Sequence, residues 1–343
     1  MNLPRPDLVM VTSLMTYWYP GVQETIAAIR AIFPDVSIIL GGIYATLCNK
    51  RAIESSGADQ VIAGAGHSKV LDLIATHTGY SVNAQIHPDD PDAWPRPAFD
   101  LQHQIGYIPL LTTIGCPFDC AYCAVHYLHP GMARRSPENV VDEINYWHHN
   151  YGIRDFVFYD DALLVNPETH ALPIFEGVLR ARLNVRFHMP NAIHIREITH
   201  ASAQLMHRAG VTTIRLGLET TDFNHRDKLD RKVSETEYHH AVACLKQAGF
   251  KKDQLGAYLL AGLPNQSIRS VEKAIRIVKE SGITPVLAHY TPIPHTAMWK
   301  TACKASPYDL ASDPIFTNNT IFPCIEAGFS WDAYSQLKQQ VVT

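Results

Sequence analysis

The sequence predicts an α/β protein in two parts: a small Rossmann-like parallel α/β domain, then an open parallel (β/α)6 partial TIM barrel. Three observations carry that prediction. Short apolar runs alternate with helical periodicity almost throughout, the pattern of buried parallel strands covered by helices. One proline-rich stretch interrupts the alternation. The chain has 343 residues, enough for two domains.

In the first part, "DLVMVTSL" from Asp7 reads as a buried strand, and "VQETIAAIRAIF" puts Val22, Ile26, Ile29 and Phe33 on one helical face. The pattern repeats through "SIILGG", "KRAIESSG", "DQVIAGAG" and "SKVLDLIATH". Residues 1–86 therefore hold three strand–helix units with glycine at the strand ends. "IHPDDPDAWPRPAF" carries four prolines that break both periodicities, and residues 87–106 read as a linker. Six further units fill residues 107–300, with strands at 108–113, 156–159, 185–189, 213–218, 255–261 and 285–290. Ser136-Pro137-Glu138 marks a helix start: a capping hydroxyl, a proline in the first turn and an acid at the positive helix end. Residues 301–343 lose periodicity and read as a tail in which only "WDAYSQLKQQ" looks helical.

Composition narrows the class. With 46 % hydrophobic and 18 % charged residues the chain can bury a sizeable core, which excludes a disordered or fibrous protein. A net charge of -4, with no basic run interleaved with aromatics, gives no indication of a nucleic-acid partner. The amino terminus lacks the pattern of a secretory signal, and no apolar run approaches a membrane span. Seven cysteines, four of them scattered, fit a reducing compartment, so the expectation is a cytoplasmic protein without a membrane partner.

The other three cysteines, Cys116, Cys120 and Cys123, crowd into "TTIGCPFDCAYCAVHY" on the loop after the first barrel strand. At this spacing three thiolates can converge on one inorganic site, one ligand short of four. A zinc site closed by His126 or His129 is one reading. A 4Fe-4S cluster with three thiolates and one open iron is the other. Cys244 falls beside the apolar face of its helix and reads as a buried thiol; Cys303 and Cys324 are too few for a second cluster. His148 and His149 lie opposite the apolar face of their helix and read as exposed.

CxxxCxxC with Tyr122 before its last cysteine, at the mouth of a six-unit barrel, resembles the radical S-adenosylmethionine (SAM) superfamily, in its elongator-like branch. The resemblance continues at four strand ends, in the family order. "FVFYDDALL" implies Asp160 and Asp161 near the methionine amine, and "TIRLGLET" implies Glu219 as a polar contact to SAM, with a bridge to Arg215 as its plain alternative. "AYLLAGLPNQS" resembles the Gly-x-Pro turn, where Gly262 and Pro264 let backbone approach the adenosine. "AHYTPIPHTAMW" resembles the proline-rich end of the sixth strand. Arg134 and Arg135, just past the cluster loop, either meet the SAM carboxylate or flank the next helix. The resemblance implies that the open iron chelates SAM and that an electron from the cluster cleaves it to methionine and a 5′-deoxyadenosyl radical. It implies a small-molecule or peptide substrate and a reductant such as flavodoxin or ferredoxin. It assigns no catalytic residue of the chain itself.

Residues 6–75 resemble the cobalamin-binding domain that precedes the barrel in one radical SAM subfamily. Gly41, Gly42, Ala45 and Thr46 match a Gly-Gly-x-His-Ala-Thr stretch that lines the cofactor; Tyr44 stands in place of its histidine. No Asp-x-His-x-x-Gly signature is present, and the resemblance begins at the third strand of that domain, so the domain is expected to be incomplete. Tyr17, Trp18 and Tyr19 either cover a corrin face or pack against protein. The leading expectation is a radical SAM enzyme on an unknown substrate. A cobalamin-dependent methyltransferase and a non-catalytic metal-binding scaffold are the alternatives.

Overall fold

The structure, a computed structural model, describes residues 4–81, 90–224, 226, 229–324 and 330–342. The expected boundary at 86/87 lies outside the described residues. The chain forms two compact units, Met1–Asp89 with Tyr122–Pro130 and Thr291–Cys324, and Asp90–Ala121 with Gly131–Tyr290 and Ile325–Thr343.

The first unit is built on β1 (Leu8–Ser13), α1 (Tyr19–Ile32), β2 (Ser37–Gly41), α2 (Gly42–Leu47), α3 (Asn49–Ser55), β3 (Gln60–Val61) and α4 (His67–Thr78). Its sheet has the order β1-β2-β3, all parallel. Ile38 and Leu40 of β2 are fully buried, and Val22 and Ile26 of α1 pack onto them, as the helical stripe predicts. Gly42 must be glycine: its φ is +88°, and a Cβ there would lie 2.4 Å from Thr12 Oγ1. Tyr44 is buried in the core and stacks on Tyr19 with ring centroids 5.9 Å apart. Residues 291–324 belong to this unit. Thr317 Oγ1 lies 2.9 Å from Thr16 Oγ1, and Tyr19 donates its hydroxyl to Asp313 Oδ2 at 3.0 Å. Tyr19 thus packs against its own unit, while Trp18 is exposed.

The second unit holds a six-stranded parallel sheet with the order β9-β8-β7-β6-β5-β4. Its elements are β4 (Ile108–Leu110), α5 (Pro137–Tyr151), β5 (Asp155–Phe158), α6 (Ala171–Arg180), β6 (Arg186–Ile193), α7 (His200–Arg208), β7 (Val211–Glu219), α8 (Glu235–Ala248), β8 (Leu255–Ala261), α9 (Ile268–Glu280), β9 (Thr284–His289) and α10 (Trp331–Val342). The sheet is open, with β4 and β9 at its edges. Ser136 caps α5 through the Asn139 N–H, as its sequence signature predicts, and Val140, Ile144 and Trp147 form the buried face. Phe156 and Phe158 of β5 meet Phe187 of β6 and Phe175 of α6 with centroids no more than 6.2 Å apart. Each such buried ring contributes about 2 kcal/mol, which makes this cluster the anchor between sheet and helices.

Two strand ends differ from the expected ones. The first barrel strand stops at Leu110 rather than 113, because Asp160 captures the next backbone N–H groups. The third continues past Met189 to Ile193, accommodating Pro190 through a register shift. At the carboxyl end of the chain α10 docks on the sheet, with Tyr334 edge-on to His289 at 4.4 Å and Lys279 donating to the Gln340 carbonyl. Among the described residues no helix is long and apolar enough to cross a membrane.

Candidate active site

Parallel barrels gather functional groups at the carboxyl ends of their strands, and the loop carrying the cysteines starts at that end of β4. Two acids at the end of β5 tether it. Asp160 Oδ1 accepts the Thr112 N–H at 2.8 Å, the Thr112 hydroxyl at 2.6 Å and the Thr113 N–H. Asp161 Oδ2 accepts the Gly115 N–H at 3.0 Å. Thr112 Oγ1 also lies 2.8 Å from His170 Nε2, so its hydroxyl donates to Asp160 and accepts from the imidazole. The network is buried. Burial lifts the Asp160 carboxyl to about 6, against the lowering pull of its Thr112 and Thr113 hydrogen bonds. Burial, helped by the Arg134 charge, lowers His170 to about 4. Asp160 Oδ2 has no hydrogen-bond partner and borders a void of about 10 Å³.

Cys116 and Cys123 are half-buried and Cys120 is buried. His194, directly after β6, stacks on Phe118 of the cysteine loop at 4.7 Å and brings Nε2 to 3.8 Å from Cys116 Sγ. The Ala121 N–H donates to the Leu229 carbonyl at 2.8 Å, tying the loop to the segment after β7. That segment is itself clamped. Arg226 donates to both oxygens of Asp230, at 3.0 and 2.7 Å, and to the Leu218 and Thr220 carbonyls. Lys232 follows, with Nζ 3.9 Å from Glu219 Oε1. Burial alone would lower the Lys232 pKa, but the charges of Glu219 and Cys120 hold it above its ordinary value. The Cys120 thiol therefore has a buried cation beside it.

Glu219 closes β7 in the left-handed region, at φ +62°. A non-glycine residue held there stores about 1–3 kcal/mol, a cost that clusters at functional sites. Its partner is Lys232; Arg215 bonds instead to the Ile214 and Gln254 carbonyls. After β8, Gly262 turns at φ +89°, and Gln266 holds the Gly262-Leu263-Pro264 turn by accepting two of its N–H groups and donating to the Leu260 carbonyl. Arg135 pairs with Glu143 and Asn139 of the next helix, whereas Arg134 donates to the Val165 carbonyl in the loop after β5. Cys244 is buried, as its helical position predicts.

In the first unit a cleft of about 240 Å³ opens at the carboxyl ends of the strands, lined by Thr12, Gly41, Gly42, Ile62, Gly64 and Gly66 among others. A Cβ at Gly42 would strike Thr12, and one at Gly66 would lie 2.9 Å from Ile62. Bare backbone therefore forms its floor.

Three cysteine thiolates carried on one loop are the donor type that iron–sulfur clusters take. A family profile described as the radical SAM superfamily matches residues 110–295. The chain belongs to the radical SAM superfamily. A second profile, described as a B12 binding domain, matches residues 3–74. The radical SAM chain is similar to an uncharacterized methyltransferase of Pyrococcus horikoshii, 24 % identical over 92 % of this chain and 72 % of that protein. It is similar to anaerobic magnesium-protoporphyrin IX monomethyl ester cyclase of Cereibacter sphaeroides at 22 % identity, over 86 % of this chain and 53 % of that one. It thus spans about half the length of that cyclase. Among solved structures, the radical SAM methyltransferase TsrM of Kitasatospora setae, with cobalamin and a 4Fe-4S cluster bound, superposes with a TM-score of 0.71 at 16 % identity, over 89 % of this chain and 66 % of that one. At that identity the fold is what they share. A radical SAM enzyme works with a 4Fe-4S cluster and SAM, and acts on a substrate the fold does not name.

His194, Lys232, His170, the Arg226–Asp230 clamp and Gln266 are site residues that sequence reasoning missed. Only "KLDRKVS" after the fourth strand carried a signal, a run of charge in a stretch too short to be a helix face.

Proposed function

We propose that this radical SAM enzyme is a cobalamin-dependent methyltransferase acting on a small-molecule or peptide substrate. Cys116, Cys120 and Cys123 hold the cluster. When bound, the cluster supplies the electron that cleaves SAM to methionine and a 5′-deoxyadenosyl radical. Glu219, Asp161 and the Gly262–Pro264 turn are assigned to SAM in this reading. Asp160 is read as a positioning residue instead, since its Oδ1 holds the cysteine loop through Thr112 and Thr113.

The observation that carries the methyl-transfer part is the glycine-floored cleft at the carboxyl ends of β1–β3, within the residues that match the B12 binding domain. The relatives named as methyltransferases support it. A second reading, hydrogen abstraction without methyl transfer, is favoured by Tyr44, which stands in place of the histidine of the resembling stretch and is buried in the core against Tyr19.

Anaerobic purification from cells supplied with hydroxocobalamin separates the two. Methyl transfer predicts bound cobalamin, and S-adenosylhomocysteine as a product when SAM and dithionite are added. Cobalamin-free protein that releases 5′-deoxyadenosine without S-adenosylhomocysteine refutes the methyltransferase and supports the second reading. A co-purifying reductant of the flavodoxin or ferredoxin class would supply the electron in the cell.

A further inference from the structure

His194 has no part in the site read from the sequence, and it is 94 % buried beside a cluster cysteine, with 6 % of its surface exposed. Its ring lies nearly parallel to Phe118, 22° between planes, and Phe118 sits between Cys116 and Cys120 in the loop. Nε2 points at Cys116 Sγ, whereas Nδ1 is buried with no hydrogen-bond partner. A neutral imidazole carries one proton. With nothing for Nδ1–H to donate to, the proton belongs on Nε2, where sulfur can accept it. An unsatisfied buried ring nitrogen is costly, so the contact made by the other nitrogen must hold the ring in place.

We propose that His194 donates its Nε2–H to the Cys116 sulfur, fixing that thiolate in the loop and favouring the reduced state of the cluster. The inference rests on the cluster assignment made above. Reduction adds one electron, delivered by an external reductant, and no bond to His194 forms or breaks. The added negative charge is shared by the thiolate sulfurs, so a hydrogen bond to one of them is stronger after reduction than before.

The test is a redox titration of the full chain, anaerobically reconstituted and without SAM, followed by electron paramagnetic resonance (EPR). His194→Phe fills the site and removes the donor; His194→Gln returns an N–H. Iron content and circular dichroism confirm that each variant is loaded and folded. At a fixed potential the ratio of reduced to oxidised cluster is expected to fall several-fold in H194F, because the equilibrium reads only the part of the hydrogen bond gained on reduction, and to recover in H194Q. An unchanged ratio in loaded H194F overturns the proposal. So does a strong nitrogen coupling in the wild-type EPR spectrum, which would make His194 a ligand rather than a donor. If H194F fails to load, His194→Met takes its place as the donor-free variant: a ratio below wild type that H194Q restores upholds the donor, and a ratio equal to wild type overturns it. Wild-type protein that takes up no iron overturns the cluster reading itself, and is told apart because it fails before any variant is compared.

Discussion

Replacing Asp160 with alanine should loosen the root of the cysteine loop. In the folded protein Oδ1 accepts two buried backbone N–H groups, from Thr112 and Thr113, and the Thr112 hydroxyl. The Thr112 hydroxyl keeps its contact with His170, while alanine offers the two amides no acceptor. Each stranded donor costs about 1–3 kcal/mol, so D160A should lose about 2–6 kcal/mol, a large part of a stability that is usually about 5–15 kcal/mol. Asp160→Asn keeps the oxygen and removes a carboxylate that burial already disfavours at neutral pH. Its weaker hydrogen bonds and its lower desolvation penalty oppose each other, and D160N should stay within about 1 kcal/mol of wild type. Urea unfolding of the cluster-free protein gives the stabilities, and hydrogen exchange at Thr112 and Thr113 locates the effect. An alanine variant as stable as wild type, with unchanged exchange at those amides, would refute the reasoning.

Stability should also depend on pH through His170. Its folded pKa of about 4 lies below the unfolded value near 6.5, so the folded state binds fewer protons in between. The contribution is complete above about pH 6.5 and is lost as pH falls to 4, about 3 kcal/mol in all. Asp160, raised to about 6, opposes this between about pH 4 and 6 and offsets most of it. His170→Gln should therefore turn a nearly level profile into one in which stability rises as pH falls from about 6 to 4, read in a urea series across pH 4–7. Arg226→Met should destabilise the protein by about 3–5 kcal/mol by leaving Asp230 buried and unpaired, read by the same unfolding assay. Gly42→Ala forces a side chain into φ +88° against Thr12 and should abolish cobalamin retention, measured from the visible spectrum of the purified protein.

Much of the fold was legible because parallel strands write themselves as short apolar runs and their helices as stripes. "FVF", "TIRLGL" and "AYLLA" could be placed without knowing what they pack against. The proposed cluster site was legible because its three cysteines sit in one loop. His194 was not: "NAIHIRE" has no local feature that marks it, and its meaning comes from Cys116, 78 residues away in the chain. Lys232 reads as one more surface charge until the loop folds it toward Glu219. Asp160 and Asp161 are neighbours in sequence, and that both hold the cysteine loop, through Thr112 and Thr113 and through Gly115, shows only when the loop is folded beside them. The left-handed backbone of Glu219 is likewise invisible in its residue type, since it is imposed by the strand end.

The most direct test of the central claim is the EPR spectrum of the reduced, iron-loaded protein before and after SAM is added. If Cys116, Cys120 and Cys123 leave one iron open for SAM, the protein binds three to four irons, as expected for such a cluster, and the signal shifts on addition. A signal indifferent to SAM, or zinc in place of iron, would contradict it.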